Sequence, residues 1–184
     1  MKKKIRIISG TFKGKNITTI TDHNLRPTMH RIRETLFNWL SQKISNANCL
    51  DCFAGSGALS IESISRAAKY VTALENNKKI LYNLKKNIVK LNIENIKIIY
   101  TNTLSWLKNT PYKYDIIFLD PPYNKKILQK TIFLIEEKKI IKQSGYIYIE
   151  KSRFQKIYYP KNWILHKNKY TKNINYKLYF FNKI

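Results

Sequence analysis

Leu50-Asp51-Cys52-Phe53-Ala54-Gly55-Ser56-Gly57-Ala58-Leu59 is the stretch on which the fold turns. Asn48–Phe53 is short and mostly apolar and runs into two glycines, and Ala58–Ala68 then takes helical spacing. A strand that passes through a glycine turn into a helix opens an alternating α/β chain. Downstream the alternation continues. Tyr70–Glu75 reads as a strand, and Asn77–Leu91 as a helix with Ile80, Leu81, Leu84, Ile88 and Leu91 on one face. Ile96–Thr101 is a third strand, Leu104–Lys108 a short helical piece, and Tyr114–Asp120 a fourth strand. Ile116 to Leu119 are apolar throughout, as a strand covered on both faces requires. Ile127–Ile141 reads as a helix, Tyr146–Glu150 as a fifth strand, and Trp163–Lys169 with Asn175–Phe181 as a hairpin. The expected fold is therefore α/β: a doubly wound, mostly parallel sheet with helices on both faces and a C-terminal antiparallel hairpin at an edge.

Upstream, Ile5–Ile8 and Lys15–Ile20 flank Ser9-Gly10-Thr11-Phe12-Lys13-Gly14 and read as a basic β-hairpin. Ile32, Leu36, Phe37, Leu40 and Ile44 then recur at helical spacing, with Thr28 as the expected N-cap. Nothing resembling a linker divides the chain. One domain is expected over 1–184, with 1–46 an N-terminal hairpin-and-helix extension and 47–184 the core.

The 184 residues include 35 Lys or Arg against 11 Asp or Glu, a net charge of +24. The 43% hydrophobic content supports a real core rather than a disordered basic tail. No apolar run reaches the ~18–20 residues that cross a bilayer, and Met1-Lys2-Lys3-Lys4-Ile5-Arg6 leads into no signal-peptide stretch. With two cysteines, the expectation is a reducing cytoplasm, no membrane, and a nucleic-acid partner. The net charge is +8 over residues 1–48, +4 over 49–120 and +12 over 121–184. A coding bias toward A and T explains most lysines as well as function does. The arginines are fewer: Arg6, Arg26, Arg31 and Arg33 fall within the first 33 residues and mark places where a forked donor is needed.

Two loops carry the chemistry. In an open parallel sheet, ligands bind beyond the carboxyl ends of the strands. Asp51 to Gly57 is such a loop, its glycines letting the backbone pass close to a ligand. Glu75 closes the second strand 24 residues after Asp51, near the ~20-residue separation at which an acid meets a ribose hydroxyl. A dinucleotide fingerprint would need a third glycine where Ser60 stands, and Asp51 would repel a pyrophosphate. The same carboxylate attracts an ammonium or sulfonium group, which favours S-adenosylmethionine. The turn as a mere tight connection is the alternative. Asn102, after the third strand, is placed for an adenine edge or is simply an exposed loop residue.

Asp120-Pro121-Pro122-Tyr123 follows the fourth strand. The prolines stiffen the loop and present carbonyls without N–H groups; Asp120 adds an anionic acceptor and Tyr123 an aromatic face. Such a set suits the exocyclic amine of a nucleobase, held between Asp120 and the Pro121 carbonyl. A strand terminator with no further role is the plainer reading.

Leu50-Asp51-Cys52-Phe53-Ala54-Gly55-Ser56-Gly57-Ala58-Leu59, followed by Phe118-Leu119-Asp120-Pro121-Pro122-Tyr123, resembles the class I, Rossmann-like, S-adenosylmethionine-dependent amino-methyltransferases. Arg6-Ile7-Ile8-Ser9-Gly10-Thr11-Phe12-Lys13-Gly14, Leu25-Arg26-Pro27-Thr28 and Arg31-Ile32-Arg33-Glu34-Thr35-Leu36-Phe37-Asn38-Trp39-Leu40 are similar to RsmD-type 16S rRNA (guanine-N2)-methyltransferases, the likeness running from about Ile5 to Phe180. The resemblance implies methyl transfer to the 2-amino group of one guanine in small-subunit rRNA, in the assembled 30S particle, by a cytoplasmic monomer. It places Asp51, Phe53, Ala54, Gly55, Ser56, Gly57, Glu75 and Asn102 around the cofactor, and Asp120, Pro121, Pro122 and Tyr123 around the base. Arg6, Lys13, Arg26, Arg31 and Arg33 would meet the RNA, Arg31 and Arg33 alternatively the cofactor. His30, Asn77 and Asn102 depart from the acidic residues common at those positions.

Cys49 and Cys52 lie three apart on one strand and so face opposite ways; no metal is expected. Tyr158, Tyr159, Tyr170, Tyr176 and Tyr179 sit among lysines and suit either a packed strand face or RNA stacking. The competing functions are an adenine-N6 DNA or glutamine-N5 protein methyltransferase, and a non-catalytic basic ribosome-binding protein.

Overall fold

The computed structural model describes residues 3–20, 30–122 and 125–182; Arg26, Thr28 and Tyr123 lie outside them. The strands are β1 (Lys3–Arg6), β2 (Asn16–Thr19), β3 (Asn48–Asp51), β4 (Tyr70–Glu75), β5 (Ile96–Tyr100), β6 (Tyr114–Leu119), β7 (Ile141–Ser152), β8 (Trp163–Tyr170) and β9 (Ile174–Phe181). The helices are α1 (His30–Trp39), α2 (Ala58–Ser65), α3 (Lys78–Leu91), α4 (Thr103–Asn109) and α5 (Lys125–Glu137). β1 and β2 form a separate antiparallel pair. The other seven strands form one sheet in the order β5-β4-β3-β6-β7-β9-β8. β3 to β7 are parallel, and β9 enters antiparallel between β7 and β8. This is the expected α/β architecture, and it makes β3 and β6 neighbours at the point where the strand order reverses.

Alternation along the central strands builds two cores. Cys49, Ile116, Phe118 and Tyr148 pack on one face with Leu36 and Phe37 of α1, Leu59 and Ile61 of α2, and Leu84 and Ile88 of α3. Leu50, Cys52, Ile117, Leu119, Ile147 and Ile149 pack on the other with Leu107 of α4 and Leu128, Ile132 and Ile135 of α5. Cys49 and Cys52 thus enter opposite cores, and burial pushes both thiols upward, away from the thiolate.

Two expected boundaries move. α2 ends at Ser65, because Arg66 caps it and Ala67 takes a φ of 66°. The helix expected over Ile127–Ile141 stops at Glu137, and Lys139 has a φ of 51°. Ile140 and Ile141 continue the apolar spacing of α5, yet Ile141 opens β7 opposite Tyr114. The register with β6 shifts before Tyr146, with Ser144 at a φ of 60° in the irregular stretch.

The N-terminal hairpin is fastened to α2 and α3 rather than to the sheet. Glu62 of α2 is 0% exposed and accepts the Ile8 and Ser9 amides at 2.9 and 3.1 Å. The Ser65 hydroxyl donates to the Ser9 carbonyl and accepts from the Phe12 amide. Gly10 allows the approach: a Cβ there would overlap the Ser65 carbonyl oxygen. On α3, Asn83 and Asn87 hold Thr18 through both its backbone and its hydroxyl. Among the described residues, no helix is long and apolar enough to cross a membrane.

Candidate active site

The loop after β3 hangs between its two neighbouring strands. The Cys52 amide donates to the Phe118 carbonyl of β6 at 3.1 Å, and the Ala54 amide to the Leu74 carbonyl of β4 at 2.9 Å. Gly57 has a φ of 81°, and a Cβ on it would stand 2.3 Å from a methyl of Leu84. Only glycine satisfies both demands. Gly55, Ser56 and Ala54 are buried around it and Phe53 is half-buried. The Ser56 carbonyl accepts from Asn87 at 3.4 Å, so the residue that clamps the hairpin also braces this loop.

Asp51 is enclosed beneath the turn. Its carboxylate accepts the Ser60 hydroxyl at 2.6 Å and the Phe53 amide at 3.3 Å. Burial pushes the carboxyl up to about 6 against those hydrogen bonds, and the charge of Glu75 pushes the same way. Ser60 stands where a dinucleotide fold has its third glycine, and here it satisfies a buried acid. Glu75, half-buried at the end of β4, accepts the Gly55 amide at 2.9 Å on one oxygen and the Asn77 amide at 2.8 Å on the other. Each oxygen keeps a second lone pair, which matches the donors of a ribose diol.

Asn77 and Asn102 take positions the sequence reading did not foresee. Both are N-caps: Asn77 accepts from the Lys79 and Ile80 amides of α3, and Asn102 from the Leu104 and Ser105 amides of α4. The Oδ1 of the exposed Asn102 is thus committed to the helix. Thr103, beside it, donates to the Cys52 carbonyl at 2.6 Å and ties α4 to the end of β3.

Asp120 and Pro121 follow β6, half-buried, and Pro122 is exposed. β6 pairs with β3 through Phe118 and Asp51, so the acceptor loop and the glycine turn leave adjacent strands at the same edge. Next to Asp120 on the other side is Glu150, one position beyond the Leu119–Ile149 pair. It is buried, accepts the Tyr148 hydroxyl at 2.9 Å, and is raised well above the carboxylate range by burial and then by the charge of Asp120. Sequence reading passed over Glu150. Its signal is that no Asp or Glu follows it in the chain.

The N-terminal cations divide. Arg6, Lys13 and Arg31 are exposed. Arg33 is not available to RNA: it is 2% exposed, donates to the Arg6 carbonyl at 3.1 Å and faces Glu62 at 3.7 Å. The fork that an arginine in so lysine-rich a chain suggested joins α1, β1 and α2 instead of a polyanion. Glu62 and Ser65, which receive the hairpin, were not legible because their partners lie more than fifty residues away.

The family described as Conserved hypothetical protein 95 matches residues 5–180. The chain is 57% identical over 177 residues to the ribosomal RNA small subunit methyltransferase D of Buchnera aphidicola subsp. Acyrthosiphon pisum, covering 96% of this chain and 93% of that one. It is 38% identical to the protein of that name from Escherichia coli K12, covering 96% and 89%. The solved structure of "Putative methyltransferase yhhF from Escherichia coli" superposes with a TM-score of 0.90 at 36% identity, over 98% of this chain and 99% of that one. With its glycine turn, Asp-Pro-Pro loop and hairpin extension in one arrangement, the chain belongs to this family, the RsmD-type methyltransferases of the class I fold.

Proposed function

We propose that the protein transfers a methyl group from S-adenosylmethionine to the N2 amine of a guanine in small-subunit rRNA, acting as a cytoplasmic monomer on the assembled particle. The observation that carries this reading is the adjacency of two acidic loops on β3 and β6, one enclosing a glycine turn and the other stiffened by two prolines.

The residues present fit S-adenosylmethionine. Glu75 offers paired acceptors to ribose hydroxyls, Gly55 and Gly57 leave room that a side chain would fill, and Asp51 contributes negative charge beneath the amino-acid end. Phe53, Ala54, Ser56 and Asn102 complete the proposed lining. When bound, this cofactor supplies an electrophilic methyl on a sulfonium.

The protein's part is orientation. Asp120 and the Pro121 carbonyl accept hydrogen bonds from the two N–H groups of the guanine amine, which aims its nitrogen lone pair. Holding the reactants in line lowers the barrier by up to ~7–11 kcal/mol in favourable cases. Pro122 stiffens the loop, and Tyr123 stacks on a base turned out of its helix. Asp120 is also the group positioned to take the proton that the amine loses. Its neighbour Glu150 is buried and accepts the Tyr148 hydroxyl.

The test supplies labelled S-adenosylmethionine with unmodified small subunits, naked 16S rRNA and DNA in separate reactions, followed by nucleoside analysis. N2-methylguanosine from subunits or rRNA is expected; N6-methyladenine, or label in protein alone, overturns the reading. Asp120→Ala should abolish transfer while S-adenosylmethionine affinity by calorimetry stays within about two-fold, because Asp120 is assigned to the base and its removal leaves the cofactor's own contacts in place. Loss of both together would move Asp120 into the cofactor site.

A further inference from the structure

We propose that the carboxyl edge of β7 and β8 is a stacking platform for single-stranded RNA, built from Arg153, Phe154 and Tyr170, which holds the nucleotides flanking the target base. The inference rests on the RNA reading above and adds a surface to it.

The sheet itself points the platform at the acceptor loop. β8 is antiparallel to β9, and β9 to β7, so β6, β7 and β8 all end at one edge. Asn175 pairs with Lys151 on one side and Tyr170 on the other, which puts the end of β8 level with the end of β7. At the 4.7–4.9 Å spacing of strands, Tyr170 stands ~10 Å from Lys151, itself one residue past Glu150.

The C-terminal aromatic residues divide by burial. Tyr176 and Tyr179 are core residues, whereas Tyr170 is 63% exposed and Phe154 is 79% exposed. The Arg153 guanidinium lies 4.6 Å from the centre of the Tyr170 ring. An exposed ring with a planar cation against it, and a second exposed ring on the residue next to that cation in the chain, offer faces on which unpaired bases stack.

This edge is braced rather than loose. The Arg153 amide donates to the Asn173 carbonyl at 2.8 Å, joining the end of β7 to the β8–β9 turn. The largely buried Lys151 donates its ammonium to the carbonyls of Gln155 and Ser152, which fixes the segment carrying Arg153 and Phe154. Asn175 holds the end of β8 through Asn168 and the Lys169 carbonyl.

Charge selects the occupant. The 34 residues after Glu150 contain nine Lys or Arg and no Asp or Glu, and Lys156, Lys169 and Lys172 among them are exposed. An acid-free aromatic face beside a loop that takes a nucleobase is complementary to a polyanion with bases to stack. A guanine turned into the acceptor loop leaves its neighbours unstacked, and the platform replaces the lost contact.

The test measures anisotropy of a fluorescein-labelled single-stranded RNA oligomer, and methylation of unmodified small subunits, with the full-length protein. Phe154→Ala and Tyr170→Ala should each weaken RNA binding by at least about five-fold, raise KM for subunits, and leave kcat, thermal stability and S-adenosylmethionine affinity unchanged. Phe154→Tyr and Tyr170→Phe should restore binding, and Arg153→Ala should lower the salt slope by about one. Tyr82→Ala is the control, an equally exposed aromatic beside Lys86 on α3, and should change nothing. Wild-type binding by both alanine variants, or an equal loss in the Tyr82 control, overturns the platform. If the parent enzyme yields no N2-methylguanosine, the function falls separately, and the anisotropy still decides the platform.

Discussion

Asp51 is the one buried acid under the glycine turn whose proton affinity falls near neutrality. Its carboxyl is raised from 3.8 to about 6, so between those values the folded protein holds a proton that the unfolded chain releases. Stability must therefore fall as pH rises through that window, by an amount on the order of 3 kcal/mol, complete above about 6. Asp51→Asn keeps the shape and removes the ionisation, and Ser60 can turn its hydroxyl to accept. Thermal melts of this variant should match the parent at pH 4 and exceed it at pH 8, while S-adenosylmethionine affinity drops. A stability difference that does not vary with pH would sink the assignment. Gly57→Ala acts at the same loop by sterics. The positive φ and the Leu84 methyl both oppose a Cβ, so a loss of about 1–3 kcal/mol in unfolding free energy is expected, with weakened cofactor binding.

At the scale of elements, the N-terminal hairpin depends on one carboxylate. Glu62 receives two hairpin amides and faces Arg33 and Arg66 with no exposure. Glu62→Gln leaves two guanidinium groups short of their counter-charge and replaces one acceptor oxygen with a donor. Removing one side of a buried charge cluster costs about 3–5 kcal/mol. Hydrogen exchange should show residues 3–20 opening first, ahead of the central strands; uniform loss of protection across the sheet would refute a local anchor. The existence of the hairpin and of α2 was legible from turn residues and spacing. Their docking was not, since Glu62 reads as an ordinary polar position in a helix and its partners are 53 and 54 residues upstream. β8 repeats the lesson. Its residues after Trp163 are exposed on both faces, a long open edge in which Lys167, Lys169 and a register shift after Leu165 discourage pairing with another chain.

The whole molecule carries its charge away from its chemistry. Residues 49–120 hold a net of +4 and supply Asp51, Glu75 and Asp120, while the flanking segments hold the remaining +20. Affinity for small subunits should therefore fall steeply as salt rises, linearly in log–log form, while calorimetric affinity for S-adenosylmethionine changes little. Equal salt slopes for the two ligands would contradict this separation. What the sequence determined by itself is whatever lies in short-range pattern: the strand–helix alternation, the two loops, and the sign of the partner. Those follow from hydrophobic period and from residues whose backbone behaviour is intrinsic, such as Gly57 and the paired prolines. Only the tertiary structure decided which charges are free. Arg33 and Glu62 cancel inside the protein, Asn77 and Asn102 cap helices, and Tyr170 faces solvent while Tyr176 and Tyr179 are buried. The reason is that a side chain's availability is set by what packs against it, and those partners come from distant parts of the chain that no local pattern can name.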